Sequence, residues 1–213
     1  MLVAALDFFG DVKGLRLLDL GCGEGRTSLF FASRGADVVS IDISEVAIES
    51  LSDFCKQHDI KNITPIQCSA FEISKLGEFD LIFGSMILHH IEPFDRFSKT
   101  LHGALNPGGK MFFYENNAFS DLLMWFRTNV IGKYGIPKMG DDEEFPLTPG
   151  EVDSLRNFFQ VEVVYPKLLF FQLISWYLLK KKLSQPFKWL DDMFFHIPAF
   201  RQLSYRQYLL CQK

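Results

Sequence analysis

The amino-acid sequence predicts an α/β fold around a doubly wound, mostly parallel sheet, on three observations. Short apolar runs alternate with segments of helical period along most of the chain, the signature of βαβ units. The first apolar run leads directly into a glycine-rich turn, Gly21-Cys22-Gly23-Glu24-Gly25. The length of 213 residues holds one such domain with a full core and is too short for two ordinary ones.

The elements follow in order. Residues 15–20 read as the first strand, and residues 26–33 as a helix that stops near Gly35. Residues 37–42, apolar and β-branched, are the second strand. Ser44 is placed to cap a helix over residues 45–58, and the chain turns at Lys61-Asn62. Residues 63–68 and 79–84 are the third and fourth strands. Pro93 opens a helix that ends near Asn106-Pro107-Gly108-Gly109, and residues 110–115 form the fifth strand. A first excursion covers residues 118–147. Thr148-Pro149-Gly150-Glu151 is then a capping box with proline in the first helical position, starting a helix that runs to about Phe159. Residues 161–165 and 205–211 are the sixth and seventh strands. A second excursion, residues 167–204, lies between them and is helical and strongly apolar.

Composition excludes several classes. Apolar residues at 48% and charged residues at 23% are the balance of a folded soluble domain. A net charge of −4 gives no general reason to expect nucleic acid, which favours a basic surface. The cysteines Cys22, Cys55, Cys68 and Cys211 are scattered, with no C-x-x-C pair. That argues against a disulfide framework or a zinc site and fits a reducing, cytoplasmic setting. The apolar start M-L-V-A-A-L-D-F-F-G lacks a basic n-region and is not expected to be a signal peptide. The longest apolar candidate, residues 168–179, is interrupted by Gln172 and Ser175 and falls short of a bilayer span.

The strongest chemical signal is Asp19-Leu20-Gly21-Cys22-Gly23-Glu24-Gly25, set between a strand and a helix. A sharp turn whose backbone approaches a ligand closely leaves no room for side chains. The N–H groups of the helix start face such a ligand. Asp42, ending the second strand, can accept hydrogen bonds from two ribose hydroxyls. A dinucleotide site would need G-x-G-x-x-G, but the sixth position here is Arg26. The observed G-x-G-x-G suits a ligand without a pyrophosphate.

On these residues the sequence resembles the class I S-adenosylmethionine-dependent methyltransferases, of the type 11/12-like, bacterial small-molecule kind. The matching segments are L-L-D-L-G-C-G-E-G, V-V-S-I-D-I-S, F-D-L-I-F-G-S-M-I-L-H-H-I and L-N-P-G-G-K-M-F-F-Y-E. The resemblance covers nearly half the chain. It implies a Rossmann-like sheet of seven strands with the last antiparallel, a minimal fold from which the helical insertions after strand 5 and between strands 6 and 7 depart. It implies a single domain over residues 1–213, with a cofactor-binding half over 1–116 and substrate-lid insertions at about 118–147 and 167–204. S-adenosyl-L-methionine would be the cofactor and S-adenosyl-L-homocysteine the product. Asp19, Gly21, Cys22, Gly23 and Gly25 would hold the methionine part, Asp42 the ribose, and Ile43 the adenine. Ser69, Ala70 and Phe71 match the adenine-contacting loop, and Ser85, just after the fourth strand, would also bind the cofactor. Many relatives have an acid where Ser69 stands, so a backbone contact would substitute. The family usually carries a longer N-terminal helical segment, so here the lid is supplied elsewhere or the site is more open.

Methyl transfer from a sulfonium is an in-line displacement in which the protein aligns the groups and excludes water. A base matters only where the acceptor loses a proton. His89 and His90 follow the fourth strand, and either could be that base near neutral pH; alternatively Leu88-His89-His90 is a structural turn. Glu115, Asn116 and Asn117 end the fifth strand, as substrate contacts or as solvated strand-end residues. Gly84-Ser85-Met86-Ile87 is not the Asn/Asp-Pro-Pro-aromatic motif of amino-methylating nucleic-acid enzymes. It also carries no acid to hold a hard cation, so no metal is expected.

Both excursions leave from the carboxyl side of the sheet, as walls for an acceptor. Trp125 lies in the first and Trp176 in the second, as candidate substrate contacts. The acidic cluster at Asp141, Asp142, Glu143 and Glu144 is expected to be a solvated loop. In the second excursion aromatics flank Lys180-Lys181-Lys182, which fits either helices packed together or peripheral contact with the inner face of a membrane. The function expected is methyl transfer to a small, hydrophobic or lipid- or sugar-linked acceptor, with oxygen favoured by family analogy. Two alternatives are a degenerate fold serving as a binding or membrane-docking module, and an NAD-type oxidoreductase.

Overall fold

The computed structural model describes residues 1–133 and 145–213. Among them the chain runs α1 (Leu2–Phe9), β1 (Arg16–Leu20), α2 (Arg26–Ala32), β2 (Asp37–Asp42), α3 (Glu45–Gln57), β3 (Ile63–Gln67), β4 (Phe79–Ser85), α4 (Phe94–Ala104) and β5 (Leu105–Asn116). It continues through α5 (Asp121–Asn129), α6 (Pro149–Arg156), β6 (Gln160–Val164), α7 (Phe171–Leu178), α8 (Ser184–Phe195), α9 (Pro198–Arg201) and β7 (Arg206–Gln212). The seven strands form one sheet in the order β3-β2-β1-β4-β5-β7-β6. It is parallel except for β7, which is antiparallel to β5 and β6. The chain divides into two compact units: Met1–Tyr114 with Asp153–Glu162 and Leu209–Lys213, and Glu115–Val152 with Val163–Tyr208.

In the first unit, β1, β2 and β4 are buried along almost their whole length. Strands covered on both faces read as continuous apolar runs, which is why these three are plain in the sequence. An aromatic cluster joins four elements. Phe83 of β4 is the register partner of Phe112 in β5, and their rings stack at 6.0 Å. Phe31 of α2 lies 5.2 Å from Phe83, and Phe9 of α1 lies 6.0 Å from Phe31. The high phenylalanine content is thus used partly to seat both helices on the sheet.

Two boundaries differ from the sequence expectation by about three residues or more. β5 begins at Leu105, not at residue 110, because Leu105 already pairs with Phe79 while Lys110 pairs with Leu81. Asn106 to Gly109 form an irregularity inside the strand, and Asn106 Nδ2 donates to the Asp80 carboxylate at 2.8 Å. The helix from Pro149 stops at Arg156. Phe158 and Phe159 then turn onto His102, with ring centroids at 5.8 and 5.7 Å. The N-terminal segment, given no element in the sequence reading, is the eight-residue α1 with Ala5 and Phe9 buried.

The second unit is helical. Leu123 of α5, Leu169 just before α7, and Leu173 of α7 form its core, with Met124, Phe170, Trp176, Tyr177 and Tyr205 packed against them. Asp191, buried in α8, closes the start of α7 by accepting the backbone N–H groups of Phe170 (2.9 Å), Phe171 (2.8 Å) and Gln172 (2.9 Å). A carboxylate there satisfies orphan donors and meets the positive end of the helix dipole. The capping box is formed: Glu151 N–H donates to Thr148 Oγ1, and the Glu151 carboxylate accepts the Thr148 N–H. Asp141, Asp142, Glu143 and Glu144 lie outside the described residues.

Candidate functional site

The strand order reverses between β1 and β4, and a doubly wound sheet binds ligands at the carboxyl ends of the strands flanking such a reversal. The turn after β1 is built there. Gly21 and Cys22 N–H both donate to Ile41 O at 2.9 Å, tying the turn to β2. Gly23 N–H donates to Asp42 Oδ2 at 2.9 Å, and Ser44 N–H to Asp42 Oδ1 at 2.9 Å. Gly25, left-handed at φ 76°, starts α2. A Cβ on Gly25 would sit 2.3 Å from Leu51, and one on Gly21 would sit 2.7 Å from Ile87. A Cβ on Gly23 would meet no atom within 4 Å, so protein packing does not require that glycine; its φ of 49° and open approach over the turn do.

Asp19 is turned inward. Its Oδ2 accepts Thr27 Oγ1 and Ser28 Oγ, each at 2.5 Å, and the carboxylate also accepts the Ser28 backbone N–H. It therefore caps α2 from the preceding strand. Complete burial raises its pKa from 3.8 to about 6, against the lowering effect of those hydrogen bonds, and the nearby Asp42 charge adds to the rise. Burial likewise pushes the Cys22 thiol up to about 12, which removes it as a nucleophile.

Two clefts meet at Gly21. One is lined by Asp19, Gly21, Cys22, Glu24, Arg26, Thr27 and Ser85. The other brings together Asp42, Ile43, Ser69, Ala70, Phe71 and His90, along with Ile87, Ile91 and Glu92. Ile43 lines this second cleft while remaining 77% exposed, leaving an apolar surface for a ligand to cover. Ser69 Oγ accepts the Phe71 N–H at 3.4 Å and starts a short 3-10 helix, Ala70–Leu76. Leu88–His90 is also a single 3-10 turn. The imidazoles of His89 and His90 lie 4.2 Å apart, and His90 is the one that lines the cleft.

The remaining candidates fall in the second unit and line neither cleft. Glu115 is fully buried, Asn116 is 8% exposed and Asn117 4% exposed, which overturns the alternative of solvated strand-end residues. Among the described residues Asn116 Oδ1 has no hydrogen-bond partner. Asn117 is structural: its Nδ2 donates to Gln202 O (3.0 Å) and Ser204 O (2.9 Å), and its Oδ1 accepts the Phe119 N–H. Trp176 packs in the helical core, and Trp125 is 57% exposed on α5. Sequence reasoning missed Ile87, Ile91 and Glu92, although their place just after β4 was the available signal. It also missed Thr27 and Ser28, hydroxyls in the first helical turn beyond the glycines.

The donor set fits S-adenosylmethionine. Each Asp42 oxygen spends one acceptor position on a backbone N–H, and a carboxylate has about four, so two remain for a ribose diol. Ile43, Ala70, Phe71 and Ile87 supply apolar surface for a base, while an acid lines the adjoining cleft. Among the described residues no group of acids, histidines and cysteines could hold a metal ion.

The fold and this site resemble those of class I, S-adenosylmethionine-dependent methyltransferase domains. Residues 17–109 match the family described as methyltransferase domain. It is 36% identical over 104 residues, 48% of its length, to the ubiquinone biosynthesis O-methyltransferase of Coxiella burnetii. The chain spans 44% of that relative's length. A SAM-dependent methyltransferase from Aquifex aeolicus has the same fold at TM-score 0.63 and 16% identity, covering 99% of this chain and 88% of that one. So does Haemonchus contortus phosphoethanolamine N-methyltransferase 2, solved in complex with S-adenosylmethionine, at TM-score 0.64 and 18% identity, covering 100% of this chain and 52% of that one.

Proposed function

We propose that this chain transfers a methyl group from S-adenosylmethionine to an oxygen of a small, hydrophobic or lipid- or sugar-linked acceptor, acting as a single domain. The observation that carries the reading is Asp42, which holds the glycine turn with one lone pair on each oxygen and keeps others for a diol. The cofactor supplies an activated sulfonium methyl, so the protein's task is alignment and exclusion of water. Asp42 orients the nucleoside by its sugar, and Ile43, Ala70, Phe71 and Ile87 cover the base. Asp19 presents a negative charge to the cleft next to Gly21. His90, lining the cleft, takes the proton that a hydroxyl acceptor loses. The likeness to an enzyme named for O-methylation in ubiquinone biosynthesis supports oxygen as the acceptor atom and an apolar acceptor. Because an apolar acceptor partitions into lipid, the same reading places the protein in the cytoplasm, peripherally at the inner face of a membrane.

Calorimetric titration with S-adenosylhomocysteine tests it. Micromolar binding, on the order of −8 kcal/mol, is expected, and Asp42→Ala should weaken it strongly. Absence of binding by the parent protein would overturn the reading.

A further inference from the structure

We propose that the second unit carries a docking surface for an anionic lipid bilayer, formed by the Lys180-Lys181-Lys182-Leu183 turn and the outer face of α8. Docking of this kind rests on the peripheral-membrane part of the proposed function and does not depend on methyl transfer.

One face of α8 is already used. Asp191 is buried on the start of α7, and Phe194 packs on Phe171 and Phe200, with ring centroids at 5.4 and 4.9 Å. The rest of the helix shows large apolar side chains to solvent. Leu183, Trp189, Met193 and Ile197 are 61%, 64%, 41% and 45% exposed. Trp189 and Met193 lie about one turn apart on α8, Leu183 is the residue before its start, and Ile197 follows its end. Large apolar side chains gathered in this way are normally buried, and here none of the four joins the helical core.

Charge says what covers it. Residues 171–204 contain Lys180, Lys181, Lys182, Lys188 and Arg201 against only Asp191 and Asp192, while the whole chain is at −4. Asp191 is buried, and Asp192 pairs with Lys188 at 2.9 Å. The three consecutive lysines are exposed just before the start of α8. Their turn is built to stay so. Lys180, Lys181 and Leu183 have left-handed backbones at φ 49°, 65° and 60°, a conformation that costs a non-glycine residue about 1 kcal/mol. It is held by Ser175 Oγ, which donates to Lys182 O at 2.7 Å, and by Ser184 Oγ, which donates to Lys181 O. The carbonyls are tied down and the ammonium groups are left in water.

A tryptophan and aliphatic side chains beside a lysine cluster match the interface of an anionic bilayer, where apolar groups enter the headgroup boundary and lysines meet lipid charge. Nucleic acid fits less well, since of the four apolar side chains only Trp189 offers a base a ring to stack on. No described helix is long and apolar enough to cross a membrane, so the contact is superficial.

The test is flotation of the full chain with large unilamellar vesicles of phosphatidylcholine, with and without about one-third phosphatidylglycerol. Binding is expected only with phosphatidylglycerol, weakening as salt rises. The triple variant Lys180→Ala/Lys181→Ala/Lys182→Ala should lose on the order of a hundredfold in affinity, and Trp189→Ala roughly tenfold. Both variants should keep the far-ultraviolet dichroism and the S-adenosylhomocysteine affinity of the parent, which separates loss of docking from loss of the fold or of the cofactor site. Four results would overturn the proposal: no vesicle binding, equal binding to pure phosphatidylcholine, binding untouched by either variant, or tighter binding to a single-stranded oligonucleotide than to anionic vesicles.

Discussion

The Asp42 carboxylate accepts the Gly23 N–H at 2.9 Å, so the residue that ends β2 also holds the turn that follows β1. Replacement therefore has two separable effects. Asp42→Ala should weaken S-adenosylhomocysteine binding by about tenfold to a thousandfold, as hydrogen bonds to a charged acceptor contribute roughly 1.5–3 kcal/mol each. It should also lower the stability of the ligand-free protein by about 1 kcal/mol through the loosened turn. Calorimetric titration and urea unfolding read the two effects independently.

Gly25 and Leu51 offer a second handle. A Cβ at Gly25 would lie 2.3 Å from Leu51 Cδ1, in a backbone already at φ 76°. Gly25→Ala should cost about 2–4 kcal/mol, combining left-handed strain with overpacking. Adding Leu51→Ala removes the clash and leaves the strain. If packing is what Gly25 avoids, the double variant will be less unstable than the sum of the single changes in a double-mutant cycle.

Asp19 makes the ligand-free protein sensitive to pH in a known direction. Its carboxyl has a higher pKa folded, about 6, than its ordinary 3.8, chiefly because it is buried. The folded state thus binds the proton more tightly than the unfolded chain. The Asp19 contribution to stability is most favourable below about pH 4, falls as pH rises through the window up to about 6, and is level above it. A separation of this size corresponds to about 3 kcal/mol. Asp19→Asn should unfold at higher denaturant than the parent near pH 7, with the difference shrinking towards pH 4. A constant difference across that range would contradict the buried-carboxylate account.

Asn117 should matter for stability without touching the cofactor. Its carboxamide makes three hydrogen bonds, to Gln202 O, Ser204 O and Phe119 N. Asn117→Ala leaves buried backbone groups without partners and should cost about 2–4 kcal/mol. S-adenosylhomocysteine affinity at a temperature where the variant is folded is expected to equal that of the parent. A selective loss of that affinity with unchanged stability would show that Asn117 belongs to the binding site instead.

The parts of the molecule that local pattern could reveal were legible, and the reason is physical. Strands β1, β2 and β4 are buried on both faces, so each is a short apolar run bounded by turns. The glycines after β1 are needed for backbone conformation, which composition records directly. The seat of α1 escaped because M-L-V-A-A-L-D-F-F is apolar on nearly every side, so its helical period is faint. The start of β5 was hidden by Asn106-Pro107-Gly108-Gly109, which reads as an ending although the strand pairs on either side of it. Asp191 on the start of α7, Asn117 on Ser204 and Asp19 on Ser28 are side-chain to backbone links across the fold. Nothing in the spacing along the chain marks them. The cleft residues Ile87 and Ile91 were inside a segment already quoted for its family likeness, with Glu92 next after it, but a turn's sequence does not say which of its side chains face inward.

The Asn117 side chain also decides how this protein could be recombined with its homologues. The second unit is written in two stretches, Glu115–Val152 and Val163–Tyr208, and Asn117 near the beginning of one fastens the backbone near the end of the other. A chimera that exchanged only one stretch would sever that fastening and expose the backbone groups it serves. The two stretches are therefore one heritable cassette, and a crossover placed between them should yield protein that is made but fails to accumulate.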